Sequence, residues 1–148
     1  MRIRVLAISV FSHGRRILVA KGYDSTKSEY FLRPVGGEVE FGESSRDALI
    51  REGREELELE LRGVALLGVL ENVFSYDGEP GHEVVFVYDA VFADATVYAE
   101  DELPLNEEVW DGAARWIDLD ALPTEPIYPE GLLELLGEAA QRGGAAAR

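Results

Sequence analysis

Glu52, Glu55 and Glu56 fall within little more than one helical turn, with Arg51 beside them and the Gly36-Gly37 pair upstream. Their types and spacing could do chemistry. Like charges at helical spacing repel by roughly 0.3 kcal/mol per pair, so a compensating positive charge is expected. Arg51 can pair with Glu55 at i+4 but cannot neutralise all three carboxylates. Hard oxygen ligands gathered on one face suit Mg²⁺ or Mn²⁺. Paired glycines let a backbone carbonyl approach a metal or a phosphate with no side chain in the way. A solvated acidic helix face is the alternative use of the same run.

A helix must position these groups. Ser44 is a suitable N-cap, with Asp47 able to reach back to the cap amide, and the pattern predicts a helix from about Ser45 to Leu57. At roughly 100° per residue, Leu49, Ile50, Gly53 and Leu57 share one sector, while Arg51, Glu52, Glu55 and Glu56 share the opposite one. One face packs and the other gathers charge.

The spacing of Gly37, Glu43, Arg51-Glu52, Glu55-Glu56 and Leu59 resembles the Nudix box, G-x5-E-x7-R-E-U-x-E-E-x-G-U with U aliphatic. Gly53 departs from it where the family has an aliphatic residue, and Glu58 departs where it has glycine. Gly53 on the packing face implies a close backbone contact, and Glu58 removes the expected glycine at the helix exit. The order Arg33-Pro34-Val35-Gly36-Gly37 also differs, since the family more often places proline directly before the glycines.

The resemblance implies an α/β fold, a Nudix-type α/β/α sandwich with a mixed central sheet. It also implies a metal-dependent hydrolase that cleaves a diphosphate linkage in a nucleoside diphosphate joined to another group. A nucleoside triphosphate, a nucleotide sugar, ADP-ribose and a dinucleoside polyphosphate are all open as substrates. By carry-over the Gly36 carbonyl, Glu52, Glu55 and Glu56 would hold Mg²⁺ or Mn²⁺. Glu52 would also polarise the attacking water, Arg51 would orient a glutamate, and Glu43 would be an accessory carboxylate. Arg33 could contact a phosphate bidentately or form a surface ion pair. Tyr76 lies seventeen residues beyond Leu59, where dinucleoside polyphosphate hydrolases of the family tend to carry a tyrosine. Packing across a hairpin is its other use. Glu107 and Glu108 are candidates for a further base, because many relatives supply one from a loop in this region. A Nudix-fold module that binds a nucleotide or a protein without turnover is the competing class. Dimers are common among Nudix relatives, so a homodimer stays open.

Composition narrows the partners. With 148 residues, 47% of them hydrophobic, the chain can bury one core, and residues 1–142 are read as one Nudix-like domain with 143–148 as a flexible tail. A formal net charge of -15 argues against a nucleic-acid polymer, but a small nucleotide carried by a divalent cation is compatible with it. The lack of cysteine rules out disulfides and thiolate chemistry and fits a cytoplasmic location. Arg2 and Arg4 before Val5–Val10 could imitate a signal peptide, but His13-Gly14-Arg15-Arg16 interrupts the run, which reads as a first strand. No apolar stretch approaches the roughly 20 residues of a membrane helix.

Along the chain, β-branched runs predict a hairpin over Ile3–Phe11 and Arg16–Ala20, then a short strand at Tyr30–Leu32. Gly63–Phe74 and Glu83–Phe92 read as strands joined by a turn-dense loop over Ser75–His82. Asp94–Glu108 reads as an exposed acidic loop, Ala113–Asp118 as the last strand, and Pro129 to about Arg142 as an amphipathic helix.

Overall fold

A computed structural model describes residues 1–106 and 112–142; Glu107, Glu108, Trp110 and the 143–148 segment lie outside the described residues. Strand β1 (Arg4–His13) turns at Gly14, where φ is 64°, into β2 (Arg16–Asp24). Strand β3 (Glu29–Arg33) pairs with the far half of β2, and β4 (Val35–Glu38) with the near half of β1. The long hairpin β5 (Leu61–Tyr76) and β6 (Glu79–Phe92) then joins the other side of β1. Short β7 (Glu102–Pro104) and β8 (Ala113–Asp118) complete the described sheet in the order β5-β6-β1-β2-β8-β7. The β1–β6 pair is parallel and the other strand pairs are antiparallel, so the sheet is mixed.

Alternation along β1 explains why helices cover both faces. Leu6, Ile8 and Val10 join Val85, Val87, Leu132 and Leu136 in one cluster, the last two from helix α2 (Leu132–Gln141). Ala7 points the other way, onto Ala48 and Leu49 of helix α1 (Ser45–Glu52) and onto Tyr88. A strand buried on both sides reads as a near-continuous apolar run, as Val5–Phe11 does. Beyond α1 the core continues through Phe11 stacked on Phe92, ring centroids 4.0 Å apart.

Four boundaries differ from expectation, each for a local reason. The Ser75–His82 loop contracts to Asp77-Gly78, whose φ values of 50° and 81° meet the requirement of a two-residue hairpin turn, and the ladder continues on both sides. Helix α2 begins at Leu132 and not Pro129, because Gly131 holds φ at 93° and cannot lie inside a right-handed helix. The acidic stretch after Asp94 contains a 3₁₀ turn, Ala95–Ala99, capped by the Asp94 side chain on the Thr96 N–H, and then β7 with Leu103 buried. The helix carrying the carboxylates is α-helical only to Glu52. Gly53–Leu57 forms a wider π turn that ends at Glu58 in the left-handed region, φ 57° and ψ 36°.

Candidate active site

Helix α1 starts as its sequence requires. The Ser44 hydroxyl accepts the Asp47 N–H at 3.1 Å, and the Ser45 hydroxyl meets the Tyr88 hydroxyl at 2.6 Å, pinning the first turn to β6. At the other end Gly53 sits so close to Leu61 that an added Cβ would lie 3.0 Å from its side chain. A larger residue there requires the Leu61 side chain to shift by a few tenths of an ångström. Close packing at Gly53 accompanies the π turn, a feature common where helices serve function. Asn106 donates its N–H to the Glu56 carbonyl at 2.9 Å and its side-chain amide to the Glu55 carbonyl at 3.1 Å, satisfying carbonyls a helix end leaves open.

The acidic residues separate in this geometry. Glu52 and Glu56 turn into a cavity of about 280 Å³ lined also by Gly36, Gly37, Arg33 and Arg4. Glu56 is 6% exposed, whereas the Glu55 side chain is 59% exposed. Gly37 supplies the space: a Cβ there would stand 2.3 Å from the Glu52 carboxyl carbon. Gly36 makes room for backbone instead, since its Cβ would meet the Ala7 carbonyl oxygen at 2.2 Å. Both glycines lie in β4, opposite Ile8 and Ala7 of β1, so they form a strand edge and not the open loop their spacing suggested.

Arg51 organises the carboxylates. Its Nε and Nη2 clasp Glu43 at 3.1 and 2.7 Å, while Nη1 donates to Glu52 at 2.9 Å and Glu55 at 3.1 Å. Nη2 also reaches the Glu38 carbonyl oxygen at 3.1 Å. Such charge-assisted, forked contacts fix a guanidinium firmly. The hydrogen bond from Arg51 and then the Glu40 N–H hold the Glu43 carboxyl below its ordinary range, and the Glu43 hydrogen bond in turn raises Arg51. Arg51 is therefore a permanent cation that orients Glu52 from outside the cavity.

A second cavity of about 380 Å³ adjoins the first through Arg4 and Arg33, which line both. Its walls carry Phe31, Phe74, Tyr76 and Tyr128 together with Asp24 and Glu83. Tyr76 packs edge-on against Phe31 at 5.9 Å and reaches the Tyr23 carbonyl oxygen at 3.3 Å. Burial raises the phenols of both Tyr76 and Tyr128, which stay protonated at neutral pH. Asp24 is desolvated, which pushes its carboxyl up, but the N–H groups of Lys27 and Thr26 outweigh this and hold it low.

Among the expected site residues, Gly36, Glu52, Glu56 and Arg33 line the first cavity, Arg33 and Tyr76 the second, and Arg51 and Glu43 brace the first from behind. Glu55 stands at the surface, and Glu107 and Glu108 lie outside the described residues. Sequence reasoning missed Glu83, a buried carboxylate near the start of β6, and Arg4, read only as a strand flank. A glutamate leading Val84–Val87 was a usable signal, because a charge beside a buried run needs a counter-charge.

The donor set fits a hard divalent cation. Among the described residues no group of three or more His, Cys, Asp or Glu side chains is arranged to hold a metal by itself. Mg²⁺, however, characteristically uses one or two carboxylates and completes its shell with water and substrate phosphate. Glu52 and Glu56 in one glycine-lined cavity match that requirement.

Comparison with known proteins shows the family and the fold. The NUDIX domain matches residues 1–136. The chain is 30% identical over 125 residues to the NAD-capped RNA hydrolase NudC of Pseudomonas fluorescens, an alignment covering 84% of this chain but 40% of that protein, so the chain spans well under half of that relative's length. The crystal structure of a MutT NUDIX hydrolase from Burkholderia pseudomallei is similar with TM-score 0.68 and 28% identity, covering 91% of this chain and 97% of that one. A UDP-X diphosphatase structure shares the fold at TM-score 0.67 and 17% identity, covering 99% of this chain and 66% of that one.

Proposed function

The chain belongs to the NUDIX domain family of hydrolases, and from that premise we propose that it is a metal-dependent pyrophosphohydrolase acting on a diphosphate linkage in a nucleoside diphosphate derivative. The observation that carries the reading is the pairing of Glu52 and Glu56 in a cavity that only a glycine at position 37 leaves open. Residues 1–142 form the proposed catalytic domain.

In this reading Glu52, Glu56 and the Gly36 carbonyl hold Mg²⁺ or Mn²⁺. Glu55, exposed and sharing the Arg51 Nη1–H with Glu52, would complete the set. When bound, the cation neutralises the diphosphate and lowers the pKa of water in the site. Glu52 accepts the proton of the attacking water, and Arg51 keeps its carboxylate aimed while Glu43 keeps Arg51 in place. Arg33 faces the phosphates, and the aromatic second cavity that includes Tyr76 takes the nucleoside. Glu107 and Glu108 are retained as candidates for a further base.

The net charge of -15 supports a small molecule over a nucleic-acid polymer as substrate. No helix among the described residues is long and apolar enough to cross a membrane; a cytoplasmic location is proposed from the lack of cysteine. Product identification by mass spectrometry after incubation with Mg²⁺ or Mn²⁺ and a panel of nucleoside diphosphate derivatives tests the reading. Cleavage at a diphosphate that vanishes in Glu56→Gln is expected. Absence of cleavage throughout the panel, with the protein folded, would leave a binding module as the better description.

A further inference from the structure

Glu83 is 3% exposed, yet it is an ionisable group with no place in the hydrolytic scheme above. Its Oε1 accepts Arg33 Nη2 at 3.0 Å and its Oε2 accepts Arg4 Nη1 at 3.3 Å. The three side chains come from β6, β3 and β1, and they meet where the two cavities join. Glu38 also approaches Arg4, 3.6 Å from its Nε, but Glu38 is shared with Arg2. Arg33 and Arg4 thus stand at the junction against Glu83 and Glu38, two fixed cations in a chain whose overall charge is -15. Long-range attraction cannot recruit an anion to such a protein, so anion binding must come from local groups.

A purely structural cluster would satisfy its own donors, as buried polar groups ordinarily do. This one does not. The Arg33 Nε–H is buried and finds no acceptor among the described residues, although Arg33 lines both cavities. A guanidinium held at one edge by a buried carboxylate while it lines both cavities is suited to a planar or tetrahedral oxyanion.

We propose that Glu83 is a positioning residue: it fixes Arg33 and Arg4 at the junction so that they bind the phosphate of the substrate's nucleotide half, between the carboxylate cavity and the aromatic one. This rests on the pyrophosphohydrolase reading. Glu83 touches no reacting atom, and its effect passes through Arg33. Removing its charge frees the guanidiniums to rotate and weakens binding of the substrate's phosphates, while Glu52 and Arg51 keep their geometry.

The test combines kinetics with binding. Native protein, Glu83→Gln and Arg33→Lys are compared for KM and kcat on the substrate found by product identification, and by calorimetry for affinity toward α,β-methylene-ADP with Mg²⁺. Arg33→Lys keeps a charge beside Glu83 but lacks the Nε–H, and it serves where Glu83→Gln does not fold. Expected are a KM raised about tenfold or more, a matching loss of affinity for the analogue, and kcat within about threefold of native. Glu83→Gln and Arg33→Lys combined should be no worse than either alone, because they break one unit. A native-like KM and analogue affinity in either folded variant overturns the proposal, as does a fall in kcat alone. If native protein hydrolyses nothing and does not bind the analogue, both readings fail; if it hydrolyses substrate while Glu83→Gln leaves KM unchanged, only this one does.

Discussion

Replacing Gly37 by alanine should abolish most activity while leaving the fold intact. The added Cβ would stand 2.3 Å from the Glu52 carboxyl carbon and 2.4 and 2.7 Å from its oxygens, where ordinary contact begins near 3.4 Å. The Glu52 carboxylate must therefore retreat by about 1 Å. It is the far end of a flexible side chain, so the fold absorbs the shift, but a 1 Å misplacement of a reacting group costs on the order of 10²-fold in rate. That corresponds to about 2.7 kcal/mol of barrier. Gly36→Ala supplies the contrast, because its Cβ would strike the Ala7 carbonyl oxygen at 2.2 Å and the Ile8 Cα at 2.7 Å, both backbone. There β4 must move off β1, at a cost of about 1–3 kcal/mol of stability. Steady-state kcat and a thermal melt on each variant separate the two cases. Native turnover by Gly37→Ala, or a loss of stability as large as that of Gly36→Ala, would refute the idea that Gly37 exists to seat Glu52.

Other outcomes follow from the same structure. Glu58→Gly should raise the melting temperature by about 3 °C, since a non-glycine residue at φ 57° costs roughly 1 kcal/mol that glycine avoids. Leu136→Ala, removing a side chain 2% exposed at the centre of the α2 contact, should lower stability by about 2–5 kcal/mol in a denaturant titration. Glu43 is held below its ordinary value of 4.5 by Arg51, so its contribution is fully present above that pH and is lost as pH falls through the lower folded value. Acid melts of native protein and Glu43→Gln should accordingly converge below pH 4.5; a gap that stays constant to lower pH would contradict the pairing.

Much of this was legible in the chain because its cues were local. The Ser44 cap and the β-branched run of the first strand depend on neighbours in sequence, while the turn-dense Ser75–His82 stretch located the hairpin but not its two-residue turn. The spacing of Glu52 and Glu56 identifies the cavity's carboxylates without the fold. Counting at a uniform helical pitch fails at Glu55, however, because Gly53 packs against Leu61 and the helix widens there, leaving Glu55 outside while Glu56 is buried. The glycine pair reads as a loop for a related reason: its partner, β1, lies well upstream in the chain, and only pairing reveals that Gly36 and Gly37 accommodate Ala7 and Glu52. Glu83 and Arg33 are 50 residues apart, and no sequence window could join them.

The most direct measurement of the central claim is turnover in H₂¹⁸O by native protein, Glu52→Gln and Glu56→Gln, each shown to be folded by its melt. If the two carboxylates serve hydrolysis of a diphosphate, one ¹⁸O enters a phosphoryl group of one product, and each variant loses about 10²–10⁴-fold in rate. Turnover at the native rate in both variants, or products without label in a phosphoryl group, would contradict the account.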